Sequence, residues 1–202
     1  PADMAVHGRS EHGEPTVGSA VAAYLGTAAP FHPVNRLDRG TTGVMCAAKT
    51  GYMHDRLRRL LHTPALRREY LAITVGAPEP ASGVIDLPIG RRGEEKRFCV
   101  RPDGAPSVTA YETLAAGDGL ALLRLRPETG RTHQIRVHLS AIGCPILGDR
   151  LYGRASAEIA RPALHSARLT LTHPLTGETV EAAAPLPEDM RAVLTTHGLT
   201  YE

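Results

Sequence analysis

The chain has 202 residues, 42% of them hydrophobic, with two Phe and no Trp; that is enough for one domain, or one with a small appendage, whose core rests on Leu, Val, Ile and Ala. No apolar run approaches the roughly 20 residues of a membrane span, nothing resembles a secretory signal, and Cys46, Cys99 and Cys144 are too scattered for a disulfide framework or clustered zinc ligands, which suggests a reducing, cytoplasmic setting. Net charge is only +2 but segregated: residues 36–136 hold 17 basic and 11 acidic side chains, the remainder 6 and 10, a distribution suited to a polyanionic partner.

In chain order, Thr16 to Leu25 reads as a short helix with Thr16 as N-cap and Gly26 ending it. The apolar run Val44-Met45-Cys46-Ala47-Ala48 reads as a strand fed by a tight loop. Thr50 caps a second helix, in which Met53, Leu57, Leu60 and Leu61 share one side while His54, Arg56, Arg58 and Arg59 take the other. Such a basic side is a solvated face or a phosphate contact. Tyr70 to Val75 alternates as a strand: Leu71, Ile73 and Val75 point one way, Tyr70, Ala72 and Thr74 the other, so the phenol leaves on the less apolar face. Arg91 to Arg101 holds five cations among glycines and reads as a hairpin or loop. Ser107 to Leu114 and Leu120 to Arg126 read as strands joined by Gly117-Asp118-Gly119. Thr132 to Ile142 reads as a helix ended by Gly143, with Ile135, Leu139 and Ile142 as its buried stripe and Arg136 at the border of that stripe. A late hairpin over Leu169–Leu171 and Val180, and a closing helix from Pro187 to Leu194, complete the pattern. Short turns between many strands indicate an α+β domain with a mixed, largely antiparallel sheet.

Two distant segments concentrate the polar chemistry. Asn35-Arg36-Leu37-Asp38-Arg39-Gly40-Thr41-Thr42-Gly43 sets one carboxylate among cations, hydroxyls and glycines. Gly130-Arg131-Thr132-His133-Gln134-Ile135-Arg136-Val137-His138-Leu139 crowds two arginines and two histidines around a helix start. A lone loop Asp more often accepts backbone hydrogen bonds than performs chemistry. A carboxylate that must stay ionised in a pocket needs a cation beside it, and Arg136 is suited to that.

The first segment resembles the RLD-x-x-T-S-G signature of the RluA class of RNA pseudouridine synthases, with Thr42 where serine is usual and Asn35 where the family often has His. Further matches follow in order. Pro1 to His7 resembles the family's opening strand without its lysine, and Arg68-Glu69-Tyr70-Leu71-Ala72 resembles its K-x-Y-x-A motif. Gly130 to Leu139 with Gly143 to Asp149, then His173 to Glu178 and Ala184 to Pro187, resemble the remaining motifs.

The resemblance implies the pseudouridine synthase fold, a mixed, largely antiparallel sheet flanked by helices with an RNA cleft, over a single catalytic domain at 1–202 without the small N-terminal RNA-binding domain of many relatives. It implies an isomerase that converts specific uridines of ribosomal or transfer RNA to pseudouridine. Asp38 is then the catalytic carboxylate, Tyr70 packs on the base and is a candidate to handle a proton, Arg136 pairs with Asp38, and Arg36 fills the gap left by a flipped-out nucleotide. Flipping is expected on physical grounds, because a carboxylate cannot reach C1′ of a stacked residue. Arg39, Arg131, His133, Arg91, Arg92, Lys96 and Arg97 are the further expected RNA contacts. No metal or organic cofactor is expected: His7, His12, His133 and His138 do not have ligand spacing. The protein is expected to act on RNA as a monomer away from membranes. Two other readings make different demands. A glycosidase or nucleoside hydrolase wants a second carboxylate, for which Asp149 is the motif candidate, although it is better placed to cap a turn. A catalytically silent RNA-binding protein would have lost Asp38, Tyr70 or Arg136, and all three are present.

Overall fold

The computed structural model describes residues 1–2, 4–6, 15–26, 31–93 and 97–200. In chain order these form α1 (Val17–Leu25), β1 (His32–Pro33), β2 (Thr42–Gly43), β3 (Ala47–Ala48), α2 (Gly51–Leu60), β4 (Leu66–Val75), β5 (Ser82–Asp86), β6 (Ile89–Arg91) and β7 (Phe98–Val100). They continue with β8 (Val108–Gly117), β9 (Leu120–Pro127), α3 (Gln134–Ala141), β10 (Leu164–Thr172), β11 (Thr179–Ala183) and α4 (Glu188–Thr196). The main sheet runs β11-β10-β4-β9-β8-β5 with antiparallel neighbours, and β2 joins β10 in parallel. This is the mixed, largely antiparallel α+β architecture that the short turns imply. β1–β3 and β6–β7 form two small separate ladders.

Helix starts and stops follow their capping residues. Thr16 accepts the Ser19 N–H in a capping box, and Gly26 closes α1 at φ +65°. Thr50 accepts the Met53 N–H at the start of α2. The β8–β9 turn is tighter than the three residues expected for it: Asp118 and Gly119 both take positive φ, the conformation that a two-residue hairpin loop demands.

Four local expectations change. β4 does not have one apolar and one polar face. Tyr70, Ala72 and Thr74 are buried with Leu71 and Ile73, while Val75 is exposed. A central strand covered on both sides loses its alternation, and here α3 (Ile135, Leu139) and α4 (Met190, Val193, Leu194) pack into the same core. The run Val44–Ala48 is not one strand, because the Val44 N–H goes to Ser166 and the Cys46 N–H to the Asn35 side chain. α3 starts at Gln134 rather than Thr132, since His133 is left-handed at φ +56° and Gln134 Oε1 accepts the Arg131 N–H. The expected opening strand is absent among the described residues; instead the carbonyls of Ala5 and Val6 accept the first N–H groups of α1, and His7 lies outside the described residues.

Gly43 is the residue on which the β2–β10 junction turns. Its φ is +115°, and a Cβ there would overlap the backbone of Ser166. Gly43→Ala should lower stability by at least about 1–3 kcal/mol, as overpacking and backbone strain act together. A urea-denaturation midpoint within error of wild type would show that this close approach is not required.

Candidate active site

The Asp38 loop is held from below by the segment that leads into β10. Thr41 N–H closes a turn on the Asp38 carbonyl at 3.0 Å. Gly40 takes φ +82°, with Pro162 and Arg161 against its open side. The buried Arg161 donates to the carbonyls of Gly40 and Pro162, each at 3.1 Å, and its other face is clamped by both oxygens of Asp189 at 2.7 Å. One residue past the turn, Thr42 Oγ1 meets His165 Nδ1 at 2.8 Å, and His165 Nε2 donates to the Ala184 carbonyl. The loop is therefore tied to α4 and to β10 by buried polar contacts, which hold the Asp38 backbone in one place. Neither Arg161 nor His165 stands out in the sequence, because their partners lie 121 and 123 residues away.

Behind Asp38 the expected Arg136 pairing is present but secondary. Arg136 Nη1 lies 3.9 Å from Asp38 Oδ2. Its strong partner is Asp149, with Nε to Oδ2 at 2.6 Å and Nη2 to Oδ1 at 2.8 Å. Asp149 has no exposed surface, and its Oδ1 also accepts the N–H groups of Leu151 and Tyr152. It thus caps a turn, as its place after Gly148 suggests, while also neutralising the guanidinium. Burial would push the Asp149 carboxyl up, but the Arg136 and backbone hydrogen bonds hold it below the usual range. Arg136 is buried outright, not at a border, and its guanidinium sits 5.1 Å over the ring of Tyr152.

This arrangement places two carboxylates around one guanidinium. Burial pushes the Asp38 carboxyl above the usual range; His133 and then Arg136 oppose that, and Asp149 adds to it. Arg136 does favour the ionised Asp38 but does not outweigh burial, since its short hydrogen bonds go to Asp149. His133, expected at the RNA surface, stands instead with this buried group: its Nδ1 contacts the Tyr152 hydroxyl at 2.9 Å, and burial lowers its pKa while Asp38 raises it. His138 is a satisfied core residue, held by Thr109 and the Leu87 carbonyl.

Asp38 opens on a cleft of about 540 Å³, walled by Arg36, Arg68, Arg131, His62, Tyr70, Asn35 and Thr41 among others. Asp38 is the only carboxylate in that wall among the described residues. Tyr70 is 7% exposed; burial first, and Asp38 in the same direction, raise its phenol above the ordinary range. Arg68 pins the far wall by donating to the carbonyls of Pro127 and Thr129, and Arg131 donates to the Pro106 carbonyl. Arg39 is exposed but not part of the wall, and Arg91 and Arg92 stand on the exposed β6–β7 hairpin outside it. Arg97 is drawn over the Tyr152 ring at 5.7 Å. Lys96 lies outside the described residues. Asn35, the departure from the family pattern, is buried and spends its oxygen on the Cys46 N–H, while its Nδ2 has no hydrogen-bond partner among the described residues. Among the described residues no group of three or more His, Cys, Asp or Glu side chains is placed to hold a metal ion.

Because Asp149 is buried, removing Arg136 leaves an uncompensated charge. Arg136→Met should cost about 3–5 kcal/mol of stability, and adding Asp149→Asn, which keeps the turn cap but removes the charge, should restore most of it. Equal denaturation midpoints for the single and double variants would show that the pair is not the structural partner its geometry indicates.

Residues 1–141 match the family model of RNA pseudouridylate synthase. The chain is 42% identical over 170 residues to an uncharacterised RNA pseudouridine synthase of Bacillus subtilis, covering 84% of this chain and 60% of that protein. It is 43% identical over 171 residues to ribosomal large subunit pseudouridine synthase D of Nitrosomonas europaea, covering 80% of this chain and 49% of that protein. The chain therefore spans about half to two thirds of the curated relatives it matches. The solved structure of human RNA pseudouridylate synthase domain containing 4 superposes with a TM-score of 0.77 at 29% identity, over 96% of this chain and 86% of that one. Together with the Asp38 loop, the strand bearing Tyr70 and the Arg136 helix, these matches establish that the chain belongs to the RluA class of the RNA pseudouridine synthase family.

Proposed function

We propose that the protein isomerises uridine to pseudouridine in structured RNA, with Asp38 as the catalytic carboxylate. The observation that carries this reading is the cleft wall: one carboxylate facing three arginines, Arg36, Arg68 and Arg131. A polyanion enters such a cleft readily, and once its phosphates are held, the lone carboxylate is the group left to act. The reading of a hydrolase with two carboxylates loses its candidate, since Asp149 is buried and fully engaged by Arg136.

The reaction breaks the N1–C1′ bond, turns the uracil and joins C5 to C1′; a proton leaves C5 and N1 gains one, so no external reactant is consumed. Asp38 starts it as a nucleophile at C1′, as a nucleophile at C6, or as a base on the sugar. Each route needs the carboxylate ionised, and His133 and Arg136 favour that form against burial. Tyr70, beside it in the wall, supplies a flat face for the base, and its raised phenol stays protonated, a hydrogen-bond donor rather than a base. Arg36, exposed at the cleft, suits the space vacated by a flipped nucleotide. Arg131 meets RNA at the rim, and Arg39, Arg91 and Arg92 extend the contact beyond it. Large-subunit ribosomal RNA is the first substrate to try, given the named Nitrosomonas relative, with transfer RNA second.

Purified protein should form pseudouridine in unmodified transcripts of one of these RNAs. Asp38→Asn should reduce that rate by at least about 10²–10⁴-fold, the scale of losing a positioned catalytic group, with RNA affinity kept. Turnover of Asp38→Asn within tenfold of wild type would remove Asp38 from the role.

The pH profile follows from the direction of the Asp38 shift. The active form is ionised and its pKa is raised, so activity is full above that pKa and falls as pH drops through it, above the 3.8 of an ordinary aspartate. Burial lowers the His133 pKa, so the imidazole is charged only on the acidic side; there it is the first charge opposing the Asp38 shift, and His133→Gln should move this acidic limb further up. An unmoved limb would show that His133 does not tune Asp38.

A further inference from the structure

The outer face of α2 takes no part in the cleft chemistry, yet its composition is that of a nucleic-acid surface. Met53, Leu57 and Leu60 turn inward to a local core with Val34 and Leu66. At helical spacing the other side presents Tyr52, Asp55, Arg56 and Arg59, with Arg58 exposed beside them and Lys49 exposed just before the helix. Asp55 is paired with Arg59 at 2.9 Å, and no carboxylate among the described residues pairs with Arg56, Arg58 or Lys49. Tyr52 is 56% exposed, and the Arg56 guanidinium lies 5.2 Å from its ring centre. Cations along one side with an aromatic ring among them match what single-stranded RNA needs: charge for phosphates and a π-face for a base.

The same helix is joined to the cleft at two points. His54 Nε2–H donates to the carbonyl of Pro33, a cleft-wall residue. Past the C-terminus of α2, Leu61 and His62 are themselves in the wall. RNA leaving the cleft over His62 therefore meets the basic end of α2, at Arg58 and Arg59, within the next turn.

We propose that the outer face of α2 docks an unpaired stretch of the substrate RNA beside the target uridine, with Arg56, Arg58 and Arg59 on phosphates and Tyr52 stacked on a base. The inference rests on the proposed RNA substrate. A duplex offers phosphates but no splayed base, so the tyrosine selects for unpaired RNA.

The test uses fluorescence anisotropy with a 20-nucleotide single-stranded RNA and a duplex of equal length, alongside turnover on the ribosomal transcript. Arg56→Glu/Arg58→Glu/Arg59→Glu should weaken single-strand binding at least tenfold and make the log–log salt slope shallower by about 2, for three phosphates on a single strand. Tyr52→Ala should weaken it roughly five- to hundredfold, Tyr52→Phe little, and the duplex should be affected less by either. In turnover KM should rise while kcat at saturating RNA is kept. Arg191→Glu, on α4 away from the cleft wall, is the charge control. If the triple variant fails to fold, Tyr52→Ala with Arg56→Gln decides in its place. Single-strand affinity within twofold of wild type, with a salt slope unchanged within error, would overturn the proposal, including the case in which this face serves a protein partner. Wild-type protein that makes no pseudouridine on ribosomal or transfer RNA would instead refute the enzymatic reading, and the binding series would still decide the role of α2.

Discussion

The buried ion pair of Arg136 and Asp149 organises the site. Burying two charges is costly, and the pair is tolerable only because the lone pairs and protons around it are also used: Asp149 takes two guanidinium contacts and two backbone N–H groups, and Arg136 lies over Tyr152. These contacts join α3 to the 149–152 turn. What remains of the guanidinium, Nη1 at 3.9 Å, faces Asp38. The proposed catalytic carboxylate thus sits beside a cation whose charge is already shared. Its ionisation is a balance among burial, His133, Arg136 and Asp149.

The second constraint is backbone proximity. Asp38 stands on a turn followed by two constrained glycines: Gly43 approaches Ser166 more closely than a side chain would allow, and Gly40 takes φ +82° with Pro162 close against it. Arg161 and His165 then fasten the turn by hydrogen bonds to its carbonyl and to Thr42. Here the glycines of the motif act through what they omit. β10, central enough to pair with β4, β11 and β2 at once, is the rigid element against which the loop is referenced. Position is conveyed from the sheet to Asp38 without a long side chain in between.

Positive charge serves more than one purpose in this molecule. Arg36, Arg68 and Arg131 wall the cleft; Arg136 and Arg161 are buried structural cations outside its lining; Arg124 and Arg126 are spent on Glu69 and Glu112 across the sheet. The basic excess of residues 36–136 is therefore only partly available to the proposed RNA substrate. No helix among the described residues is long and apolar enough to cross a membrane, and the exposed cations of residues 36–136 include Arg36 and Arg131 at the cleft, Arg91 and Arg92 on the β6–β7 hairpin, and Arg56, Arg58 and Arg59 on α2.

What was legible in the sequence was local. The caps at Thr16 and Thr50, the glycine stop at Gly26 and the spacing of Met53, Leu57 and Leu60 depend on residues a few positions apart, so they read correctly. The motif residues Asp38, Tyr70 and Arg136 were visible because chemistry restricts which residue types stand together, and the fold brings them into one neighbourhood. Tertiary structure alone decided the partners. Periodicity could not show that β4 is covered on both faces, because burial of Tyr70, Ala72 and Thr74 depends on elements far along the chain. Nor could spacing show that Arg136 would give Asp149 two short hydrogen bonds and Asp38 a longer contact, or that His133 would turn toward Tyr152. Side-chain reach and competition for a single guanidinium are settled only when α3, the Asp38 loop and the 149–152 turn are packed together, and that packing sets the charge on the carboxylate.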